Sequence, residues 1–211
     1  MPPRRQFLLQ SGTLLSALWN SQAPLWPTPK FSAYPFSLGV ASGDPAEDGV
    51  VIWTRLAPKP LEGGGMPDTA VPVDWRVAED EGMKRIVKKG RTMAAPALGH
   101  SVHVEVAGLR PDRWYWYQFQ AGGESSPVGR TRTAPAAGAL PERLRYAFAS
   151  CQHWEAGYFT AYEHMAAENP DLVVHLGDYI YEGAPRPGYP RRHNSNEIVT
   201  LSDYRNRHAL Y

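Results

Sequence analysis

Two short stretches in the second half of the chain carry donor atoms suited to a metal. Cys151, the only cysteine, sits in FASCQ (148–152), and Asp178 and Tyr181 sit in HLGDYIYE (175–182). A thiolate, a carboxylate and a phenolate make an anionic set of mixed softness. A free phenol ionises only near about pH 10, so it ligates a strongly Lewis-acidic ion, which points toward Fe(III) more than toward Mg or Ca. A carboxylate so placed can bridge two ions. A metal pair about 3.5–4 Å apart suits phosphoester hydrolysis, because it steadies both attacking and leaving oxygens. The same residues also have a plainer reading: Gly-Asp at a strand end, packing tyrosines, and a free cysteine acting as a small core hydrophobe.

The elements between these stretches decide whether the donors can meet. RLRYAFASC (143–151) has the pattern of a strand. In GYFTAYEHMAAENP (157–170), Tyr158, Tyr162, Met165 and Ala166 fall on one helical face, and Asn169-Pro170 stops the helix. DLVVHLGD (171–178) is a nearly continuous apolar run, expected of a strand buried on both faces. Strand, helix, strand is a βαβ unit with parallel strands and a right-handed crossover. Ligand sites of such sheets lie outside the carboxyl ends of the strands, so Cys151 and Asp178 should converge. Tyr181 follows within a turn's length, and Gly177 lets the backbone come close. His153 reads equally as a neighbour of the site or a surface residue, and His175 as a hydrogen-bonded core histidine. Arg186, Arg191, Arg192 and His193 lie in a Pro/Gly-rich loop (183–196), read as solvated, with steering of anionic substrates as the alternative.

The first half has a different grammar. GVVIWTRLAP (49–58), VPVDWRVAED (71–80), HSVHVEVAGL (100–109), WYWYQFQAGG (114–123) and VGRTRTAP (128–135) are short alternating segments with turns between them. They predict an antiparallel β-sandwich. In it Val102, Val104 and Val106 point inward, His100 and His103 are solvated, and Trp53 and Trp75 belong to the core. Leu109-Arg110-Pro111 followed by Tyr115 resembles the tyrosine corner of fibronectin type III domains. APAAGALPER (134–143) marks a boundary. The expected domains are a sandwich over 36–135 and the start of an α/β domain over 143–211. TLSDYRNRHALY (200–211) begins a helix capped by Thr200 or Ser202. Two strands and one helix cannot cover a parallel sheet, so the sequence reads as the front part of a longer protein.

Composition sets the remaining bounds. With 43% hydrophobic and 20% charged residues, the chain can build a core. A net charge of +1 gives no nucleic-acid-binding signal. MPPRRQFLLQSGTLLSALW (1–19) pairs Arg4-Arg5 with a modest apolar stretch, the pattern of a twin-arginine signal over 1–23. A proline-rich linker follows over 24–35. The apolar stretch is too short and broken to span a bilayer. Export by the twin-arginine translocase to the periplasm or the exterior is expected, and one cysteine cannot form an internal disulfide.

Gly177-Asp178-Tyr179-Ile180-Tyr181 resembles the second metal motif of purple acid phosphatases and related metallophosphoesterases. SLGVASGDP (37–45), VVIWTRLAP (50–58), FASCQ (148–152), HLGDYIYE (175–182) and LSDYRNRHALY (201–211), in this order, resemble the PhoD-like alkaline phosphatase family. The resemblance implies a fibronectin-like sandwich ahead of a calcineurin-like metallophosphoesterase domain. It implies Fe(III) held by Cys151, Asp178 and Tyr181, with Asp178 bridging to Ca(II), and metal-activated water attacking small phosphoester substrates. The family's later motifs, with the rest of its metal ligands, have no counterpart here. No catalytic acid can be assigned, and the chain alone is expected to be inactive. Two alternatives are an extracellular fibronectin-like binding module with a degenerate α/β part, and a purple acid-type enzyme, which would offer Asp where this chain has Cys151.

Overall fold

The computed structural model describes residues 29–211. The expected signal and most of the linker lie outside them. Eight strands build the first part: β1 (Val40–Ala46), β2 (Gly49–Arg55), β3 (Val71–Ala78), β4 (Ile86–Ala94), β5 (Ser101–Ala107), β6 (Trp114–Ala121), β7 (Glu124–Ser125) and β8 (Gly129–Arg132). One sheet has the order β1-β2-β5, and the other β4-β3-β6, with β7 and β8 both pairing along β6. Neighbouring strands in both sheets are antiparallel.

Alternation explains the packing. Val50, Ile52 and Thr54 pair with Val106, Val104 and Val102, and all six are buried. They meet Val71, Val73, Val77, Tyr117 and Phe119 of the facing sheet. Tyr115, 1% exposed, accepts a hydrogen bond at its hydroxyl from the Arg110 amide at 2.9 Å. The bond satisfies a backbone donor at the β5–β6 connection that would otherwise be lost to solvent.

Three expectations for this part change. Trp53, expected in the core, lies half-buried on the outer face that it shares with Val51. Trp75 is half-buried at the core's margin, where its ring covers Gly90. A Cβ there would stand 2.6 Å from Cζ2 of the indole. His100 is buried, not solvated. It adopts a left-handed backbone at φ 59, and its Nε2 lies 3.0 Å from the Thr69 carbonyl.

The second part is a two-stranded parallel sheet of β9 (Tyr146–Ala149) and β10 (Leu172–His175), joined through α1 (Thr160–Ala167), and then a final helix α2 (Leu201–Leu210). The expected parallel pairing is present, with Tyr146 opposite Leu172 and Ala149 opposite His175. Expected burial is not. Leu172, Val173 and Val174 are exposed, as are Tyr146 and Phe148, because among the described residues nothing is layered over this small sheet. Helix α1 begins later than the apolar spacing suggests, after a left-handed Phe159, so Tyr158 precedes it, and it buries none of its residues. His175 is half-buried; its Nδ1 accepts from the Gly177 amide at 3.3 Å, and its buried Nε2 has no partner. Helix α2 starts as expected, with a capping box between Thr200 and Asp203.

Charged groups fasten this unit to the sandwich. Arg132 of β8 pairs with Asp171 just before β10 and with Asp112. The other Asp171 oxygen accepts from the Arg145 amide at 2.9 Å. On the opposite side, α2 rests against the outer face of the β1-β2-β5 sheet. Arg55, 5% exposed, donates to the carbonyls of Gly99 at 3.0 Å and Arg205 at 3.3 Å. Asn206 accepts from the Gly63 amide at 2.9 Å.

Candidate metal centre

Parallel pairing of β9 and β10 continues past the strand ends. The Cys151 amide donates to the Gly177 carbonyl at 3.0 Å, and the Gln152 amide to the Asp178 carbonyl at 3.2 Å. Residues distant in sequence are thereby held side by side. Cys151 and Asp178 both turn sharply, with φ of 57 and 51, in the left-handed region that L-residues seldom occupy. Such strain persists only where surrounding contacts over-determine it, and it clusters at functional sites.

The result is a convergence on one oxygen. Cys151 Sγ lies 3.6 Å from Asp178 Oδ2, and the Tyr181 hydroxyl lies 3.2 Å from the same atom. Cys151 and Asp178 are exposed, and Tyr181 is half-buried. Desolvation, then hydrogen bonds to Cys151 and Asp178 and their negative charge, push the Tyr181 phenol up to about 12. Among the described residues no Lys or Arg pairs with Cys151 or Asp178. Three donors able to carry negative charge therefore face one another without a cation, which is the chemistry of a cation site. The donor set fits a Lewis-acidic metal. Among the described residues no three His, Cys, Asp or Glu side chains gather as a metal-holding group, here or elsewhere; at this point Cys151 and Asp178 are joined by a phenol.

The other residues singled out from sequence are placed as follows. His153 is near: its ring centroid lies 4.7 Å from that of Tyr181, and its Nδ1 accepts from the Glu155 amide. Tyr179 points elsewhere, stacking on His208 at 5.3 Å and meeting His175 edge-on. Arg186 and Arg192 are exposed. The loop is not uniformly solvated, however. His193 is 5% exposed, and Arg191 lies 3.6 Å over the Trp154 ring.

Residues 20–135 match the family PhoD-like phosphatase, N-terminal domain, and residues 146–211 match the family PhoD-like phosphatase. The chain belongs to the PhoD-like phosphatase family. Alkaline phosphatase D of Bacillus subtilis (strain 168) is 62% identical to it over 188 residues, covering 87% of this chain and 32% of that protein. The solved structure of PhoD superposes with a TM-score of 0.84 at 62% identity, covering 86% of this chain and 36% of that one. This PhoD-like chain thus spans about a third of the length of the curated relative it matches. Among its described residues no helix is long and apolar enough to cross a membrane.

Two residues that sequence reasoning did not single out lie buried in this PhoD-like chain, bonded to the loop that follows Tyr181. Glu155, 1% exposed, accepts at Oε1 from the amides of Arg186 and His193, each at 3.1 Å. Those bonds and the nearby His153 and His193 hold its carboxyl below the ordinary range despite desolvation. Arg207 of α2 is fully buried. Its guanidinium donates to the carbonyls of Tyr181, Gly183, Ser195 and Asn196 and to the Ser195 hydroxyl. The one sequence signal for Arg207 is a cation in the last turn of a capped helix.

Proposed function

We propose that this chain forms part of an exported, metal-dependent phosphatase or phosphodiesterase, in which Cys151, Asp178 and Tyr181 hold Fe(III). The observation that carries the reading is the shared approach of the Cys151 thiol and the Tyr181 hydroxyl to Asp178 Oδ2, at 3.6 and 3.2 Å. Asp178 would also help to hold a second cation, Ca(II) in this reading. When bound, the metals supply the lowered water pKa and the neutralising charge that in-line attack on a phosphoester needs. The residues themselves orient: β9 and β10 bring the two loop tips together, and the left-handed turns aim Cys151 and Asp178 at one point. Residues 36–135 serve as a fibronectin-like scaffold, supported by the Tyr115–Arg110 corner. Residues 143–211 begin a metallophosphoesterase domain, supported by the parallel β9-β10 pair. The Arg4-Arg5 pair directs export by the twin-arginine route.

Metal analysis and the visible spectrum of the purified protein test this reading. About one iron per chain is expected, with a tyrosinate-to-Fe(III) charge-transfer band. Metal-dependent hydrolysis of p-nitrophenyl phosphate is expected of the complete enzyme, and little or none of residues 1–211 alone. A colourless, iron-free protein with full activity would overturn the assignment. Iron also separates this reading from a binding module, which has no reason to hold it.

A further inference from the structure

Tyr181 lies in a stretch without helix or strand, three residues past Asp178. Something other than a secondary-structure ladder must hold its phenol beside Asp178. The loop from Tyr181 to Asn196 folds around two buried charged side chains. Glu155 fixes its middle through the Arg186 and His193 amides. Arg207 fixes both its ends: Tyr181 and Gly183 carbonyls at the start, with Gly183 at 3.3 Å, and Ser195 and Asn196 carbonyls at the finish, at 3.3 and 3.0 Å.

The protonation states agree with this arrangement. Burial and the Arg207 charge push the His193 imidazole below its ordinary pKa, so it stands neutral near pH 7. Its Nδ1 stands 3.1 Å from the Arg207 guanidinium and 3.2 Å from the Gly183 carbonyl, and its Nε2 3.0 Å from the Tyr211 hydroxyl; the tautomer with its proton on Nε2 is the one in which Nδ1 accepts from Arg207. Only a planar fork with several fixed donors reaches carbonyls at both loop ends together. A lysine ammonium reaches one end or the other. Helix α2, which carries Arg207, is itself braced on the sandwich by Arg55 and Asn206. A continuous chain of contacts therefore runs from the sandwich through α2 to the Tyr181 backbone.

We propose that Arg207 is a positioning residue of the metal centre: by gripping the Tyr181 carbonyl and closing the loop behind it, it sets the direction of the phenol toward Asp178. This rests on the reading of Tyr181 as a metal ligand. The test compares wild type, Arg207→Lys and Arg207→Ala in the Fe(III)-loaded protein, with folding checked by circular dichroism. Outer groups that orient ligands typically change metal affinity about 10–100-fold. Arg207→Ala is expected to weaken Fe(III) binding by about that factor and to shift and weaken the tyrosinate band, with Arg207→Lys between it and wild type. A merely structural residue would lower the melting temperature and leave the band of the folded fraction unmoved, and that result overturns the proposal.

Should the variants not fold, amide hydrogen exchange of the wild type decides. Fe(III) binding is expected to raise protection at 181–183 and 195–196 together, since coupling between the ligand and its clamp is reciprocal. Unchanged exchange there overturns the proposal. A wild type that takes up Fe(III) without any tyrosinate band overturns the ligand assignment itself, a failure distinct from that of Arg207.

Discussion

Replacing Cys151 by glycine and by alanine separates the backbone's contribution from the thiol's. Both variants remove the sulfur, and they differ in what φ 57 costs them. A left-handed conformation costs an L-residue roughly 1–2 kcal/mol, and glycine almost nothing. Glycine in turn loses more freedom on folding, about 0.5–1 kcal/mol relative to alanine. The difference leaves Cys151→Gly more stable than Cys151→Ala by about 0.75 kcal/mol in metal-free protein, the middle of a span of about 0–1.5. With a urea m-value of about 2 kcal/mol/M, the midpoints separate by about 0.4 M. Both variants lack the soft donor and should lose Fe(III) alike, so the order of stability and the order of metal loading come apart. If the alanine variant proves as stable as the glycine variant or more so, the left-handed turn is not strained and the reasoning fails. At the parallel position, Asp178, with φ of 51, the same two substitutions should show a gap of the same sign and similar size, because neither variant keeps the native side chain.

Further expectations concern single groups. Tyr181→Phe should abolish the charge-transfer band of the Fe(III) protein while leaving its circular dichroism unchanged; a retained band would exclude Tyr181 as the phenolate ligand. Tyr115→Phe removes the acceptor of the Arg110 amide at a part-buried corner and should cost about 0.5–1.5 kcal/mol in urea denaturation. The Arg145 amide and the Arg132 charge, working against burial, hold the Asp171 carboxyl below its ordinary pKa. Its contribution is therefore complete above the unfolded value, about 3.9, and is lost as pH falls through the lower folded value. Midpoints measured from pH 6 to pH 3 should drop less steeply in Asp171→Asn than in wild type, and parallel curves would refute the linkage.

What the sequence made legible follows from which forces leave a period. The sandwich was readable because a strand buried on one face must alternate, and Val102, Val104 and Val106 do so against His103 and Glu105. Parallel pairing of β9 and β10 was readable because a helix-sized segment between two apolar runs permits little else, and pairing alone brings Cys151 toward Asp178. Apolar content, though, states what a strand can bury, not what covers it. Val173 and Val174 were expected inside and stand exposed among the described residues.

Charged residues whose burial depends on a loop's backbone leave no such trace. Neither Glu155 nor Arg207 falls on an apolar period that would mark a core position. They are buried because the 181–196 loop lacks a ladder of its own, and its amides and carbonyls must find partners elsewhere. A carboxylate accepts from two amides, and a guanidinium donates to several carbonyls. Each ion thus takes the place of a strand in completing the loop's hydrogen bonds. The cost is visible in the atoms left over: Glu155 Oε2 and Arg207 Nε are buried without partners. A loop built only for packing would avoid that expense. One that must keep Tyr181 beside Asp178 gains rigidity from it, because moving the phenol means breaking bonds to a buried charge.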